Sequence, residues 1–297
     1  MENTKRINIT EEELLFSSVS REELALYDTK AAYSNFLGRI DRARKKRRHM
    51  VYGASSFAAL ALLATVSVLS FRAGRSDIES KMADIKVEAP SGSRTKMTLP
   101  DGTVVWLNAG STLTYSQEFG VTGRAVSLNG EGYFEVAKKE DLPFKVSTDN
   151  VQVRVLGTKF NIRDYPTDPE AVVSLEEGWV AMSSPVNPSE EKHLKPNQRG
   201  AVDKESGRII VESCETSDYL QWINGRLIFD GEPLPIIIKD IERCYNVHIT
   251  LSNEKLAGLR FYGDFLRQEQ TLVEVMDALS TTGKFKYQMN GRDIIIY

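Results

Sequence analysis

The sequence predicts a multi-domain, membrane-tethered chain: a short α-helical segment, one transmembrane helix, an all-β jelly roll or sandwich, and a small α+β domain of two βαβ-like halves. Three observations predict it. Residues 50–71 form a run of 22 residues without a charge, residues 85–179 hold many short apolar runs broken by turn dipeptides, and a strand-helix-strand pattern occurs twice beyond residue 213.

At the helical rise of about 1.5 Å per residue the uncharged run reaches roughly 33 Å, and a bilayer's hydrocarbon core is about 30 Å thick. Arg42, Arg44, Lys45, Lys46, Arg47 and Arg48 precede it, while Asp77 and Glu79 follow. The positive-inside rule therefore leaves residues 1–49 in the cytoplasm. A buried core helix would carry a polar face, and a cleavable signal peptide would have a shorter start and a shorter apolar stretch. The charge balance divides at the same place, with 11 Lys+Arg against 8 Asp+Glu in residues 1–49 and 26 against 33 in residues 73–297. That excess of acid beyond the anchor gives no reason to expect nucleic acid, and the basic cluster suits anionic lipid headgroups.

Within residues 1–49, Thr10 with Glu13 and Ser20 with Glu23 fit the capping-box pattern, so two helices are expected. The first carries Leu14, Leu15 and Phe16. The second places Tyr33, Phe36, Leu37 and Ile40 at i, i+3, i+4 and i+7, an apolar stripe on one face. So small a pair cannot bury that stripe well. It packs on its neighbour or the bilayer, or it serves as a helix-in-groove ligand for a cytosolic partner.

After a linker at residues 72–87, short strands are expected up to residue 212. Met97 to Leu99 and Thr103 to Leu107 flank the turn Pro100-Asp101-Gly102, and Ala125 to Leu128 and Gly132 to Val136 flank Asn129-Gly130, so both read as hairpins. Runs beginning at Phe144, Val151, Lys159, Val172 and Trp179 follow, and residues 183–200 have loop composition before a short return ends near Val211. Such a series without a long helix predicts an antiparallel sandwich or jelly roll. Trp106 and Trp179, beside Val and Leu, are expected in its core.

The blocks GSRTKMTLPDGTVVWLNAGSTLTY, VSLNGEGYFEVAK, PFKVST, VQVRVLGTKFNIR and VVSLEEGWVAM, in order over residues 88–183, resemble the periplasmic domain of the FecR family of transmembrane anti-sigma factors. The resemblance implies a bacterial inner-membrane protein, single-pass, with the N-terminus cytoplasmic and the C-terminal domains periplasmic. It further implies that the chain holds an extracytoplasmic-function sigma factor until a TonB-dependent outer-membrane transporter reports its ligand. Leu14, Leu15, Phe16, Tyr33, Phe36, Leu37 and Ile40 are then the candidate sigma-binding residues, with Tyr33 where members commonly carry Trp.

Gly157-Thr158 lies inside the match, and some members of the family cleave themselves at a Gly-Thr bond. A Thr hydroxyl beside a bent Gly carbonyl can attack it and leave a hydrolysable ester, but no His lies nearby in sequence as base. The alternative is a turn glycine followed by a β-favouring Thr. An intact mass, unchanged by Thr158→Ala, would exclude cleavage.

Residues 213–297 read as a duplication. Leu227 to Phe229 leads into Leu234, Ile237, Ile238 and Ile241 at helical spacing and then Val247, Ile249 and Leu251; Phe261 to Phe265 leads into Leu272, Val275, Met276 and Leu279 and then two runs about Asn290-Gly291. Two βαβ-like halves on one small sheet are expected, with Pro235 in the first helical turn. WINGRLIFDGEPL, IERCYNVHI and TLVEVMDAL resemble the domain that follows the FecR domain in such regulators, similar to the short signalling domain of TonB-dependent transporters. The resemblance implies contact with that domain of the transporter, by strand addition near Leu227, Phe229, Phe261 or Phe265.

No enzyme constellation stands out. His49, His193 and His248 show no metal-ligand spacing, no nucleophile or phosphate-loop motif occurs, and no cofactor is expected. Cys214 and Cys244 are expected to be unpaired. The competing function is a tethered glycan-binding or scaffold module with an inert tail.

Overall fold

The computed structural model describes residues 29–81, 83–215 and 220–297; within the first stretch the side chains of residues 29, 54–56, 59 and 72–81 are outside that description. The described residues divide into two units, with the border between residues 80 and 81. In the first, α1 (Thr29–Lys81) is a single helix of 53 residues. It contains no proline, and its glycines are isolated among good helix formers, so nothing ends it at the basic cluster. The expected caps at Thr10 and Ser20 lie outside the described residues. Among the described residues no helix is long and apolar enough to cross a membrane; the longest run of α1 with every side chain described and no charge is residues 60–71.

The second unit begins with thirteen strands: β1 (Ile85–Ala89), β2 (Thr95–Thr98), β3 (Val104–Leu107), β4 (Ser111–Tyr115), β5 (Arg124–Glu135), β6 (Phe144–Ser147), β7 (Gln152–Val155), β8 (Lys159–Asp164), β9 (Glu170–Glu177), β10 (Val180–Ser183), β11 (Glu191–Leu194), β12 (Gln198–Asp203) and β13 (Ile209–Ser213). They build two sheets that share β5. Its first half pairs with β4 and β6, and its second half pairs with β3 and β8. The sheets close on one apolar core, in which Phe134 stacks on Phe160 at 5.2 Å and packs tilted against Phe144 at 6.1 Å.

The shared strand corrects the second expected hairpin. Asn129-Gly130 is not a turn; it is where β5 leaves one sheet for the other, with Gly130 at φ +102°. A strand that serves two sheets needs a bend there, and a glycine supplies it. Three other expectations also change. The pair β5 and β6 is parallel, so the sandwich is not purely antiparallel. The expected loop at 183–200 contains β11, which pairs with β10. The two tryptophans face outward, because the alternation that buries Val105, Leu107 and Val180 turns their neighbours away from the core. Trp106 leans on Tyr133 beneath Lys96, and Trp179, 45% exposed, stacks on His193 at 4.7 Å.

The remaining strands and α-helices are β14 (Arg226–Pro233), α2 (Leu234–Tyr245), β15 (His248–Leu251), β16 (Arg260–Leu266), α3 (Leu272–Ser280), β17 (Tyr287–Asn290) and β18 (Asp293–Ile296). Both helices fall on the expected spacings. Pro235 sits in the first turn of α2, and Thr271 with Glu274 forms a capping box on α3. The duplication does not share one sheet, however. The two leading strands pair with each other, β14 antiparallel to β16, while β15 runs parallel to β18, which pairs in turn with β17. One core joins both sheets and both helices, so exchanging partners between halves buries apolar faces that neither half could bury alone.

Candidate functional site

The outer face of the second sheet carries an unbroken cross-strand row: Lys96, Trp106, Tyr133, Asn161, Ser174, Arg199 and Glu212, each opposite the next. Glu131 and Arg163 lie one step along on the same face, opposite each other on β5 and β8. Against this face sits α2. Its apolar stripe of Leu234, Ile237, Ile238, Ile241 and Cys244 points into the C-terminal core, which leaves Asp240 and Arg243, three apart, on the side toward β8.

The result is a closed ring of four charges, two from each module. Asp240 Oδ1 accepts from Arg163 Nη2 at 2.9 Å and from Arg243 Nη2 at 2.7 Å. Asp168 accepts from Arg163 Nε at 2.8 Å and from Arg243 Nη1 at 3.1 Å. Arg243 also lies 4.0 Å over the ring of Tyr165, whose hydroxyl donates to the Ala109 carbonyl. Beside the ring, Trp222 Nε1 donates to Asn161 Oδ1, and Arg94 donates to the carbonyls of Trp222 and Ile223. Gly92 N donates to the Arg243 carbonyl at 2.7 Å, and Arg267 donates to the Gly92 carbonyl at 2.9 Å.

Electrostatics follow from this geometry. Burial alone would push the Asp240 carboxyl up, but Arg163 and Arg243 outweigh it and hold the group below its ordinary range. Asp240 therefore contributes stability that is present above the ordinary Asp pKa of about 3.9 and is lost as pH falls through its lower folded value. Glu131 behaves oppositely. Burial pushes its carboxyl up more than Arg163, Asn108 and Asn161 pull it down. Its contribution is lost as pH rises, beginning near the ordinary Glu value of about 4.3 and ending once the folded group has ionised. We expect the thermal midpoint of Glu131→Gln to fall less steeply between pH 4.5 and 7.5 than that of the native chain, whatever its absolute value. Parallel curves would mean that Glu131 does not titrate with folding.

A cleft of about 1130 Å³ opens next to the ring, lined among others by Trp222, Arg199, Glu212, Ile228, Asp230 and Tyr262. Residues of β14 and of its partner β16 line it, and β14 pairs with no strand other than β16. Cys214 and Cys244 both line the cleft and are not joined in a disulfide; burial pushes the Cys244 thiol up to about 11, which keeps it protonated and unreactive. Among the described residues no cluster of His, Cys, Asp or Glu could hold a metal ion.

The residues singled out from sequence lie elsewhere. Tyr33, Phe36 and Leu37 are exposed on α1, and Ile40 is half-buried. Leu14, Leu15 and Phe16 lie outside the described residues. Leu227, Phe229, Phe261 and Phe265 are buried in the C-terminal core, so only the backbone edges of their strands could meet a partner. Gly157 lies in the bend between β7 and β8, where a Cβ would stand 2.8 Å from Lys138 Cα; Thr158 Oγ1 donates to the Trp179 carbonyl at 3.0 Å. The close pass of Lys138 is enough to require glycine. Sequence reasoning missed the ring altogether. The available signal was the Asp240 and Arg243 pair opposite the apolar stripe of α2.

What the geometry defines is a strand-rich body of two modules joined by charge. The chain belongs to the FecR family: the description "FecR protein" matches residues 85–181 and "FecR, C-terminal" matches residues 226–296. Two crystal structures of a candidate anti-sigma factor from Parabacteroides distasonis ATCC 8503 are each 31% identical to it. They cover 72% of this chain and 98% and 99% of their own, with TM-scores of 0.65 and 0.66. No curated protein matches.

Proposed function

We propose that the chain is an anti-sigma factor held in the bacterial inner membrane by residues 50–71, with residues 1–49 masking an extracytoplasmic-function sigma factor and the β and C-terminal modules in the periplasm. The observation that carries the proposal is α1 itself. Phe57, Leu60, Leu62, Leu63, Val66, Leu69 and Phe71 are exposed around the helix, continuous with the basic cluster and with the exposed stripe of Tyr33, Phe36 and Leu37. Apolar side chains on every side suit lipid, and the one-sided stripe suits a protein groove. The likeness to a candidate anti-sigma factor over 72% of the chain supports the same reading.

The signal comes from the signalling domain of a TonB-dependent outer-membrane transporter, which adds a strand at the edge of β14 that β16 does not pair. The relay requires no enzymatic step, and self-cleavage at Gly157-Thr158 is not part of it. Residues 1–49 as bait are expected to capture an RNA polymerase sigma subunit, and Phe36→Glu with Leu37→Glu to abolish capture. Undiminished capture by the double variant would remove the stripe from the proposal. Labelling of Thr4→Cys and Asn290→Cys from the same compartment would remove the membrane crossing, and the relay with it.

A further inference from the structure

The two modules of the second unit have separate apolar cores, with no residue common to both. The bonds that tie the C-terminal module to the β module are polar: the four-charge ring, the bond from Gly92 N to the Arg243 carbonyl, the bond from Arg267 to the Gly92 carbonyl, the bond from Trp222 to Asn161, and those from Arg94 to the carbonyls of Trp222 and Ile223. Such an attachment differs from an apolar seam in what its opening exposes. Separated apolar faces meet water at a cost that grows with area, whereas separated arginines and aspartates regain their hydration. Interfaces that repack salt bridges are a recurrent way for rigid bodies to change attitude.

We infer that the ring of Arg163, Asp168, Asp240 and Arg243 is a latch: it holds the C-terminal module in one attitude on the β module and opens as a unit, without unfolding either. The inference rests on the relay reading for its purpose, though not for its geometry. Three features make the ring suited to that task. Its signs alternate, and two of its four contacts, Arg163 to Asp240 and Arg243 to Asp168, cross between modules, so opening leaves Arg163 paired with Asp168 and Arg243 with Asp240 and strands no charge on either side. It is partly buried, with Tyr165 under Arg243, so each bond is stronger than an exposed pair. It adjoins the cleft, whose lining includes Arg163, Asp168 and Asp240 together with Trp222, so an occupant of the cleft would contact the latch directly.

The test is hydrogen exchange by mass spectrometry on the full-length chain. Asp240→Asn, from the C-terminal module, and Asp168→Asn, from the β module, keep side-chain shape and remove one charge each. Both are expected to speed exchange in peptides covering residues 88–94, which contain the Gly92 amide, by about tenfold or more. Protection in β8 and β16 should stay as in the native chain. Unchanged exchange at 88–94 in both variants would overturn the inference, and so would an effect from only one of them, which would assign that residue to its own module. Loss of protection throughout β8 and β16 would overturn it too, since the ring would then belong to one folding unit. Capture of the sigma subunit by residues 1–49 is read separately, so the latch and the relay can fail independently.

Discussion

Arg124→Met is expected to destabilise the β module by about 3–5 kcal/mol, the cost of leaving a buried charge without its partner. The side chains of Arg124 and Asp101 are both wholly buried, paired at 3.1 Å. The guanidinium also donates from Nε to the Leu142 carbonyl at 2.7 Å and from Nη1 to the Ala137 carbonyl at 2.7 Å, with Nη2 reaching the carbonyls of Lys139, Leu142 and Leu156. One side chain thus satisfies a loop, 137–142, that has little ladder of its own. Methionine would fill the stem's volume over Phe144 and supply no donor. Lysine would restore the charge but not the fork that spans these acceptors. Urea unfolding of the native chain and of the variants measures the difference. A shift below about 1 kcal/mol would show that water satisfies those carbonyls. The double variant Arg124→Met with Asp101→Asn should recover part of the loss, because the amide removes the buried charge and still accepts from Thr103 N.

Gly130→Ala is expected to cost about 2–6 kcal/mol, combining a forbidden backbone angle with overpacking. The φ of +102° is open to glycine and strained for alanine, and a Cβ would stand 2.5 Å from Ser111 Oγ and 2.9 Å from Ser111 Cα. The backbone atom cannot step aside as a flexible side chain could. Ser111 Oγ also accepts from Glu131 N at 2.8 Å, so the displacement would reach the face that carries the charge ring. Gly291→Ala is the control. Its φ is +61° with no atom within 4 Å of the added carbon, so only the left-handed penalty of about 1–2 kcal/mol applies. Equal losses at the two positions, read from denaturant midpoints at a common slope, would refute the corner reading of β5.

Both effects bear on what could be read before folding. Asn129-Gly130 and Asn290-Gly291 are the same dipeptide between apolar runs, and the same rule predicts a hairpin at each. The second is one, between β17 and β18; the first is a corner inside β5. The difference lies in Ser111, far away in sequence, whose approach no local rule contains. The tryptophans show a similar limit. An indole beside Val or Leu reads as core by composition, but a pleated strand puts adjacent residues on opposite faces, and the neighbours took the inside.

What the sequence determined by itself was everything that depends on short range: the apolar run and its flanking charge, the helical stripes of α1, α2 and α3, the first hairpin, the family-bearing blocks. These rest on periodicity and turn chemistry, which act over fewer than about ten residues. Only the tertiary structure decided which strands of the duplicated halves would pair, where β5 would change sheets, and that Arg163 and Asp168 would meet Asp240 and Arg243. Those four residues are separated by more than seventy positions between modules, and a charge carries no label for its partner. Coulomb attraction selects the pairing only after burial of two apolar cores has brought the surfaces together.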